Sequence, residues 1–417
     1  MVRRMTAAAV LSSADLVLDA VVVGGGLAGL ACGVALASGG LEVAVVDRED
    51  PAATLDAGFD GRTSAIAWGA QRVLDGIGVW AGAAAWAEPI LEIRVADQDA
   101  PLFLHYDHAD LGDAPLGYIV ENRILRRALL SRAAALPTLR HLAPAAVARV
   151  ESAPARAVAH LADGRRLAAS LVVAADGKNS ALRREAGIRT VAWSYPQAGI
   201  VCTVRHERPH GGIAVEHFLP AGPFAILPMP GGNRSSIVWT ERADLAPAMM
   251  ALGEADFTAE LAARFGDFLG DLELEGPRWA YPLSFLLAER FAANRLALIN
   301  EAAHVIHPIA GQGLNLGIRD IAALAELAVD ARRLGLDIGN ADTLARYERW
   351  RRPDTVALAA VTDGLNRLFS NDVAPVRWAR DLGLAAVNRV PPLKRLLMRH
   401  AMGTVGALPR LARGERL

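Results

Sequence analysis

The chain has 417 residues, 53% hydrophobic and 21% charged, enough apolar content to bury a large core in two or three domains. Its formal net charge of -1 excludes a nucleic-acid partner gripped through bulk positive charge. Cys32 and Cys202 lie far apart, so they supply neither a disulfide framework nor metal-ligand spacing; no metal is expected, and a reducing, cytoplasmic compartment fits.

In chain order, residues 1–19 combine a basic start with a short apolar patch broken by Asp15, which reads as an extension and not a cleaved signal. Residues 20–41 carry no charge, but their glycines and the switch from a β-branched run to a helical pattern mark a buried strand, turn and helix. "DAVVVGGGLAGLACGVALASGGLEVAVVD" is therefore one βαβ unit. Its turn, Gly24-Gly25-Gly26-Leu27-Ala28-Gly29, is a GxGxxG between strand and helix. Gly24 permits the sharp turn, Gly26 lets a pyrophosphate reach the backbone, and Gly29 lets helix and strand pack closely. The phosphates then meet free amides at the positive end of the helix. Asp47, with Arg48 beside it, ends the next strand and is placed to accept from ribose hydroxyls. The competing reading is a glycine-rich turn that only packs two elements.

"DGRTSAIAWGAQRVLDGIGVW" reads as a loop entering a helix, and residues 88–116 alternate apolar and polar as strands of a different sheet. "GYIVENRILRRALLSRAAAL" is helical, with Leu125, Leu129 and Leu130 on one face. In "RRLAASLVVAADGKNSALRREAG" Asp176-Gly177 emerges at the carboxyl end of a buried strand, where ligands bind in such sheets; Asp-Gly is also ordinary turn chemistry. Residues 191–281 read as a mostly antiparallel sheet with one helix near "FTAELAARFGDFL". "LALINEAAHVIHPIAGQGLNLGIRD" returns to α/β: Pro308 fixes the chain before Gly311-Gln312-Gly313, and a helix begins near Leu314. Bare backbone at a helix start offers amides and positive potential to an anion, which suits the N1–C2=O edge of a reduced flavin. His304 and His307 lack acidic or cysteine neighbours at ligand spacing and read as structural. Helices fill the remainder.

The order GxGxxG, Asp-Gly, "AAHVIHPIAGQGLNLGIRD" resembles the FAD-dependent aromatic hydroxylases built like para-hydroxybenzoate hydroxylase. "HPIAGQGLNLGIRD" is similar to the signature of their ubiquinone-biosynthesis subfamily, as are "DGRTSAI", "GYIVENRILRRAL" and "GPFAILPMP". The resemblance implies an α/β fold. A Rossmann-like, glutathione-reductase-type FAD domain (residues 18–87, 117–190 and 282–345) is interleaved with an antiparallel substrate domain (88–116 and 191–281), and helices follow over 346–417. It implies FAD as cofactor, NAD(P)H or another reductant as electron donor, and molecular oxygen. The implied substrate is a prenylated phenol of ubiquinone biosynthesis, hydroxylated through a flavin C4a-hydroperoxide.

Carried over residue by residue, the resemblance puts Gly24, Gly26, Leu27, Ala28 and Gly29 at the FAD pyrophosphate and Asp47 and Arg48 at the adenosine. Arg62 and Arg123 approach the ribityl and phosphate region, Val147 lines the adenine, and Asp176-Gly177 lies near the pyrophosphate. Pro308, Gly311, Gln312, Gly313, Leu314 and Asn315 border the isoalloxazine, where the chemistry occurs. Relatives usually carry Gly-Asp before "AAH", the aspartate on a ribityl hydroxyl; here the pair is Asn300-Glu301. Glu301 keeps the charge at one methylene more, and Asn300 adds a side chain, so retained flavin binding is expected. The sheet bearing Phe224, Leu227 and Trp239 is expected to roof the ring, against the plainer reading of core aromatics.

Two alternatives stay open: another FAD oxidoreductase of this fold, or a flavin-impaired, non-catalytic component assembled with other ubiquinone-biosynthesis proteins. In "PPLKRLLMRHAMG", Leu393, Leu396, Leu397 and Ala401 share a helical face, with Lys394, Arg395 and Arg399 largely on the other. That suits an anionic membrane surface (the inner membrane's cytoplasmic face) and equally a final helix packed on the body with a solvated basic side.

Overall fold

A computed structural model describes residues 16–56, 61–97, 103–370 and 387–417. Of the extension read in residues 1–19, residues 1–15 lie outside them and 16–19 belong to the first strand, and part of the helical stretch read over 346–417 also lies outside. The β-branched run β1 (Leu16–Val23) pairs in parallel with β2 (Val43–Val46) on one side and β3 (Arg166–Ala174) on the other, Val22 lying opposite Val45 and Val173. Strands so nearly continuous in apolar residues need cover on both faces, which is the parallel-sheet condition. The main path of this sheet runs Ala292–Ala293, Leu296–Leu298, β3, β1, β2, Leu139–Leu142, and the hairpin Val147–Ser152/Ala157–Leu161 hangs on β3. Helix α1 (Leu27–Ser38) is apolar all round and is buried over Ala28–Ala37, as such a helix must be. Its outer neighbour is the long helix α2 (Gln312–Arg333).

A second eight-stranded sheet runs His304–Val305, Leu272–Ala288, Thr190–His206, Arg234–Arg242, Gly222–Met229, Ile213–Leu219, Glu92–Asp97, Phe103–Asp107. It is antiparallel throughout except where Ile213–Leu219 meets Glu92–Asp97. One face is covered by the helix Glu254–Phe265, whose Phe257, Leu261 and Phe265 pack on Phe224, Ile237 and Trp239. The other face turns towards a three-stranded sheet, Thr63–Ala67, Gly117–Glu121 and Ala87–Ile90, and Thr63 Oγ1 donates to Ser236 Oγ at 2.9 Å across the gap. Helices α3 (Ala341–Phe369) and α4 (Pro391–Ala401) and the short helix Arg410–Arg413 complete the described chain. Among the described residues no helix is long and apolar enough to cross a membrane.

Candidate flavin site

The glycine turn is built by exclusion. Gly24 has φ 104, and a Cβ there would stand 2.3 Å from the Ala175 carbonyl oxygen and 3.0 Å from the Asp176 nitrogen. The first turn and the Asp176-Gly177 turn are thus pressed together. A Cβ on Gly29 would meet the Gly24 oxygen at 1.8 Å, so that glycine sets how closely α1 approaches the turn. Gly25, which the sequence reading left without a role, carries the Asp47 carboxylate against its α-carbon, with Oδ2 2.6 Å from where a Cβ would be. Gly26 is the reverse: it is exposed, no described atom comes within 4 Å of an added Cβ, and no side chain caps the helix that starts there. The amides of the first turn of α1 therefore face open space with no partner of their own. Ala145 donates to the Asp47 carbonyl at 2.6 Å, which brings the segment leading to Val147 alongside Asp47. Arg48 projects into solvent and pairs with Glu49.

Asp176 sits at the end of β3. Its Oδ2 accepts from the Ala181 and Leu182 amides at 2.8 and 3.3 Å, capping the short helix Ala181–Glu185. Its Oδ1 is buried and has no partner among the described residues, a vacancy in the hydrogen-bond account that points to a ligand donor. Glu301 is exposed, and its Oε2 lies 3.7 Å from the position of a Cβ on Gly177, so the two acidic turns share one edge. Arg183 holds these loops together by donating to the carbonyls of Ala302 (2.9 Å) and Lys178 (2.8 Å).

Asn300 has φ 50, the left-handed region that glycine favours and asparagine tolerates best among the other residues. Its side chain lies where Gly317 of α2 has none: a Cβ on Gly317 would stand 2.5 Å from Asn300 Oδ1. The Asn300 amide donates to Asp320 Oδ2 at 3.2 Å. Asp320 is fully buried, hydrogen-bonded through Oδ2 to His304 Nε2 at 2.6 Å and through Oδ1 to Arg351 Nε at 2.9 Å. Burial pushes its carboxyl up, but His304 and Arg351 outweigh that and hold it below the ordinary carboxylate range. His304 is thus a structural residue tied to an acid sixteen positions on, a pairing that local ligand spacing does not reveal.

Pro308 leads into Gly311, whose φ of 61 makes it a left-handed N-cap for α2. A Cβ on Gly311 would meet Ala65 Cβ at 2.9 Å, and around Gly313 there is open space. Asn315 locks this turn to the strand Thr63–Ala67: its Nδ2 donates to the carbonyls of Ala65 (2.8 Å) and Gly311 (3.0 Å), and its Oδ1 accepts from the Ala67 amide (2.9 Å). What Asn315 offers a ligand is position, since its side chain is committed inside the protein. Leu27 at the start of α1 and Leu314 at the start of α2 line one small apolar hollow with Leu125, Leu129 and Ile318, so the two bare helix starts adjoin. Two uncapped helix N-termini, a buried carboxylate with a free oxygen and glycines whose α-carbons are open fit a dinucleotide carrying an anionic ring edge.

Comparison with known proteins agrees. Residues 17–360 match the family model described as FAD binding domain. The ubiquinone hydroxylase UbiL of Rhodospirillum rubrum is 54% identical over 408 residues, covering 97% of this chain and 95% of that one. The chain belongs to the FAD-dependent aromatic hydroxylases of the ubiquinone-biosynthesis type. The 3-demethoxyubiquinol 3-hydroxylase of Escherichia coli is 34% identical, covering 92% of this chain and 97% of that one. The p-nitrophenol 4-monooxygenase of Pseudomonas putida shares the fold, with a TM-score of 0.78 at 19% identity over 94% of this chain and all of that one.

In this hydroxylase the roof differs from the expected one. Phe224 and Leu227 are an odd number of residues apart on the strand Gly222–Met229, so they face opposite sides of the sheet. Phe224 and Trp239, 0% and 1% exposed, belong to the core under the helix Glu254–Phe265, with the Arg264 guanidinium over the Trp239 ring. Neither lies on the face that carries Leu227. Leu227 packs near Ala65 and Met229. Cross-strand partners on its side include Ser236, Val238 and Val201. Trp279 and Tyr281 reach the same region: a Cβ on Gly61 would collide with the Trp279 ring, and the Arg62 guanidinium stacks over Tyr281 at 5.0 Å. No sequence signal marked those two aromatics. Arg123, at the start of the helix Asn122–Ala134, is half-exposed and paired with Glu121 at 3.3 Å.

Proposed function

We propose that this hydroxylase inserts one atom of molecular oxygen into the aromatic ring of a polyprenylated phenol during ubiquinone biosynthesis. The observation that carries the reading is that Leu27 and Leu314, which follow the open Gly26 and Gly313, line one hollow, while Leu227 packs in the cluster of Ala65, the residue that faces Gly311. The name of the 54% identical relative supports the choice of substrate. Bound FAD, reduced by NAD(P)H, would supply the activation of oxygen. The first-turn amides of α1 receive the pyrophosphate and Asp47 the ribose, and the free oxygen of Asp176 takes a further donor. Glu301 stands where it can accept from the ribityl chain. Pro308, Gly311, Gln312 and Gly313 border the ring, where the α2 dipole favours negative charge. The Leu227 face and the small sheet exclude water, which otherwise diverts activated oxygen to hydrogen peroxide. In this division of labour residues 18–87, 117–190 and 282–345 hold the flavin, and 88–116 with 191–281 hold the substrate. The prenyl tail places the enzyme's work at the surface of the inner membrane.

The flavin-impaired reading is disfavoured by Asn300. It adopts the conformation a glycine would, and Gly317 accepts its side chain, so the course of the backbone is kept. The test is twofold. The purified protein should bind FAD stoichiometrically, and a strain lacking the chain should accumulate a quinone precursor that gains one oxygen from 18O2 when the purified protein and NAD(P)H are added. Failure to take up FAD, or FAD binding without any oxygenated product, would overturn the reading.

A further inference from the structure

An amphipathic helix of a globular chain normally turns its apolar side inward. Helix α4 does the opposite. Met398 is fully buried, and Lys394 is turned towards the body to pair with Asp110 at 2.7 Å. Leu393, Leu396 and Leu397 face outward at 41%, 47% and 36% exposure, and Val390 joins them at 45%. Arg389, Arg395, Arg399 and His400 are exposed around these side chains, and residues 387–403 contain no acid. Apolar side chains clustered outside and rimmed by cations are the pattern of a helix lying in the plane of an anionic bilayer.

The inner side of α4 gives this surface its meaning. Met398 and Met402 close the apolar cluster that contains Leu227 and Ala65. The Met402 carbonyl accepts from Gly69 at 2.8 Å, and the Ala401 carbonyl accepts from Gln312 at 3.4 Å. One helix therefore separates the outward leucines from the turn assigned to the flavin ring. We propose that α4 docks this protein on an anionic lipid bilayer. Leu393, Leu396 and Leu397 enter the acyl boundary, Arg395 and Arg399 meet lipid phosphates, and the mouth of the ring site is thereby held at the lipid surface. The docking function rests on the hydroxylase reading only for that last clause.

The full chain is sedimented with vesicles of phosphatidylcholine alone or doped with phosphatidylglycerol. Wild type should bind the doped vesicles and bind the neutral ones far less. The triple variant Leu393→Ser/Leu396→Ser/Leu397→Ser should lose binding by roughly tenfold or more, since each leucine removes several methylenes from the acyl boundary. Arg395→Gln/Arg399→Gln should lose the preference for anionic lipid. Both variants alter exposed side chains, so folding is checked by an unchanged melting temperature. Equal sedimentation of wild type and triple variant, or equal binding to both vesicle types, would overturn the proposal. So would a lipid-free dimer abolished by the triple variant, which would assign the patch to a second copy. Turnover of a tail-less phenol is measured alongside: its loss in every protein indicts the hydroxylase reading, whereas unchanged turnover with lost sedimentation leaves both intact.

Discussion

The contact between Asn300 and Gly317 makes a quantitative prediction about the pair that departs from the usual Gly-Asp. In Gly317→Ala the new Cβ would stand 2.5 Å from Asn300 Oδ1, 2.7 Å from its Cγ and 2.8 Å from its Cβ. The last of these is fixed to the backbone, so rotating the side chain cannot relieve it. Overpacking of this kind costs about 1–3 kcal/mol. Alanine in place of glycine inside a helix returns about 1 kcal/mol, so Gly317→Ala alone should destabilise by about 0–2 kcal/mol. In an Asn300→Gly background the obstructing side chain is gone and φ 50 suits glycine, so the same change should stabilise by up to about 1 kcal/mol. The double-mutant cycle therefore carries a coupling of about 1–3 kcal/mol. Melting temperatures of the four proteins are compared at one fixed FAD concentration and again as apoprotein, because bound FAD itself raises them. A shift on Gly317→Ala that is the same in both backgrounds would refute the contact, and with it the account of how Asn300 is accommodated.

Three further outcomes follow from the same geometry. Gly29→Ala places a Cβ 1.8 Å from the Gly24 oxygen, so α1 must leave the turn and the purified protein should lose its yellow colour; a FAD-replete variant would contradict the packing. Asp320→Asn removes the negative charge between His304 and Arg351 and should cost about 3–5 kcal/mol, so a variant melting with wild type would show that the cluster is not held by charge. Burial lowers His307 from 6.5 to about 4, and neither ring nitrogen has a partner among the described residues. Between those values the unfolded chain binds the proton and the folded chain resists it, so stability is complete above pH 6.5 and falls as pH drops towards 4, by roughly 3 kcal/mol. His307→Leu should flatten that slope; an unchanged slope would place the acid sensitivity elsewhere.

The glycine turn was legible because its parts are local. Strand, turn, helix and Asp47 follow one another within one βαβ unit, where close packing fixes Gly24 and Gly29 and an open backbone fixes Gly26. The α/β class followed from the same segment. What the sequence withheld were decisions made by the surroundings. Alternation along Gly222–Met229 separates Phe224 from Leu227, but only the helix Glu254–Phe265 decides which of the two sides is core. Periodicity likewise gives α4 two faces and does not say which one meets the body. Met398 and the Lys394–Asp110 pair choose the less obvious one.

The run from Asn300 to Asp320 shows why one pair could depart while the rest of the signature stayed intact. Asp320 accepts from the Asn300 amide and binds His304, so the start of the turn is clamped from α2 through backbone and imidazole. Nothing in that clamp uses the Asn300 side chain. The position demands a residue that tolerates positive φ, and Gly317 must stay bare to receive whatever side chain is there. Glu301 answers to a different demand, a carboxylate at the edge of the Gly177 turn, which an extra methylene still meets. His304 and Asp320 have no such latitude, because each is buried and each satisfies the other. Tolerance at 300 and intolerance at 304 and 320 thus meet in one buried carboxylate, which grips the backbone of the first and the side chain of the second.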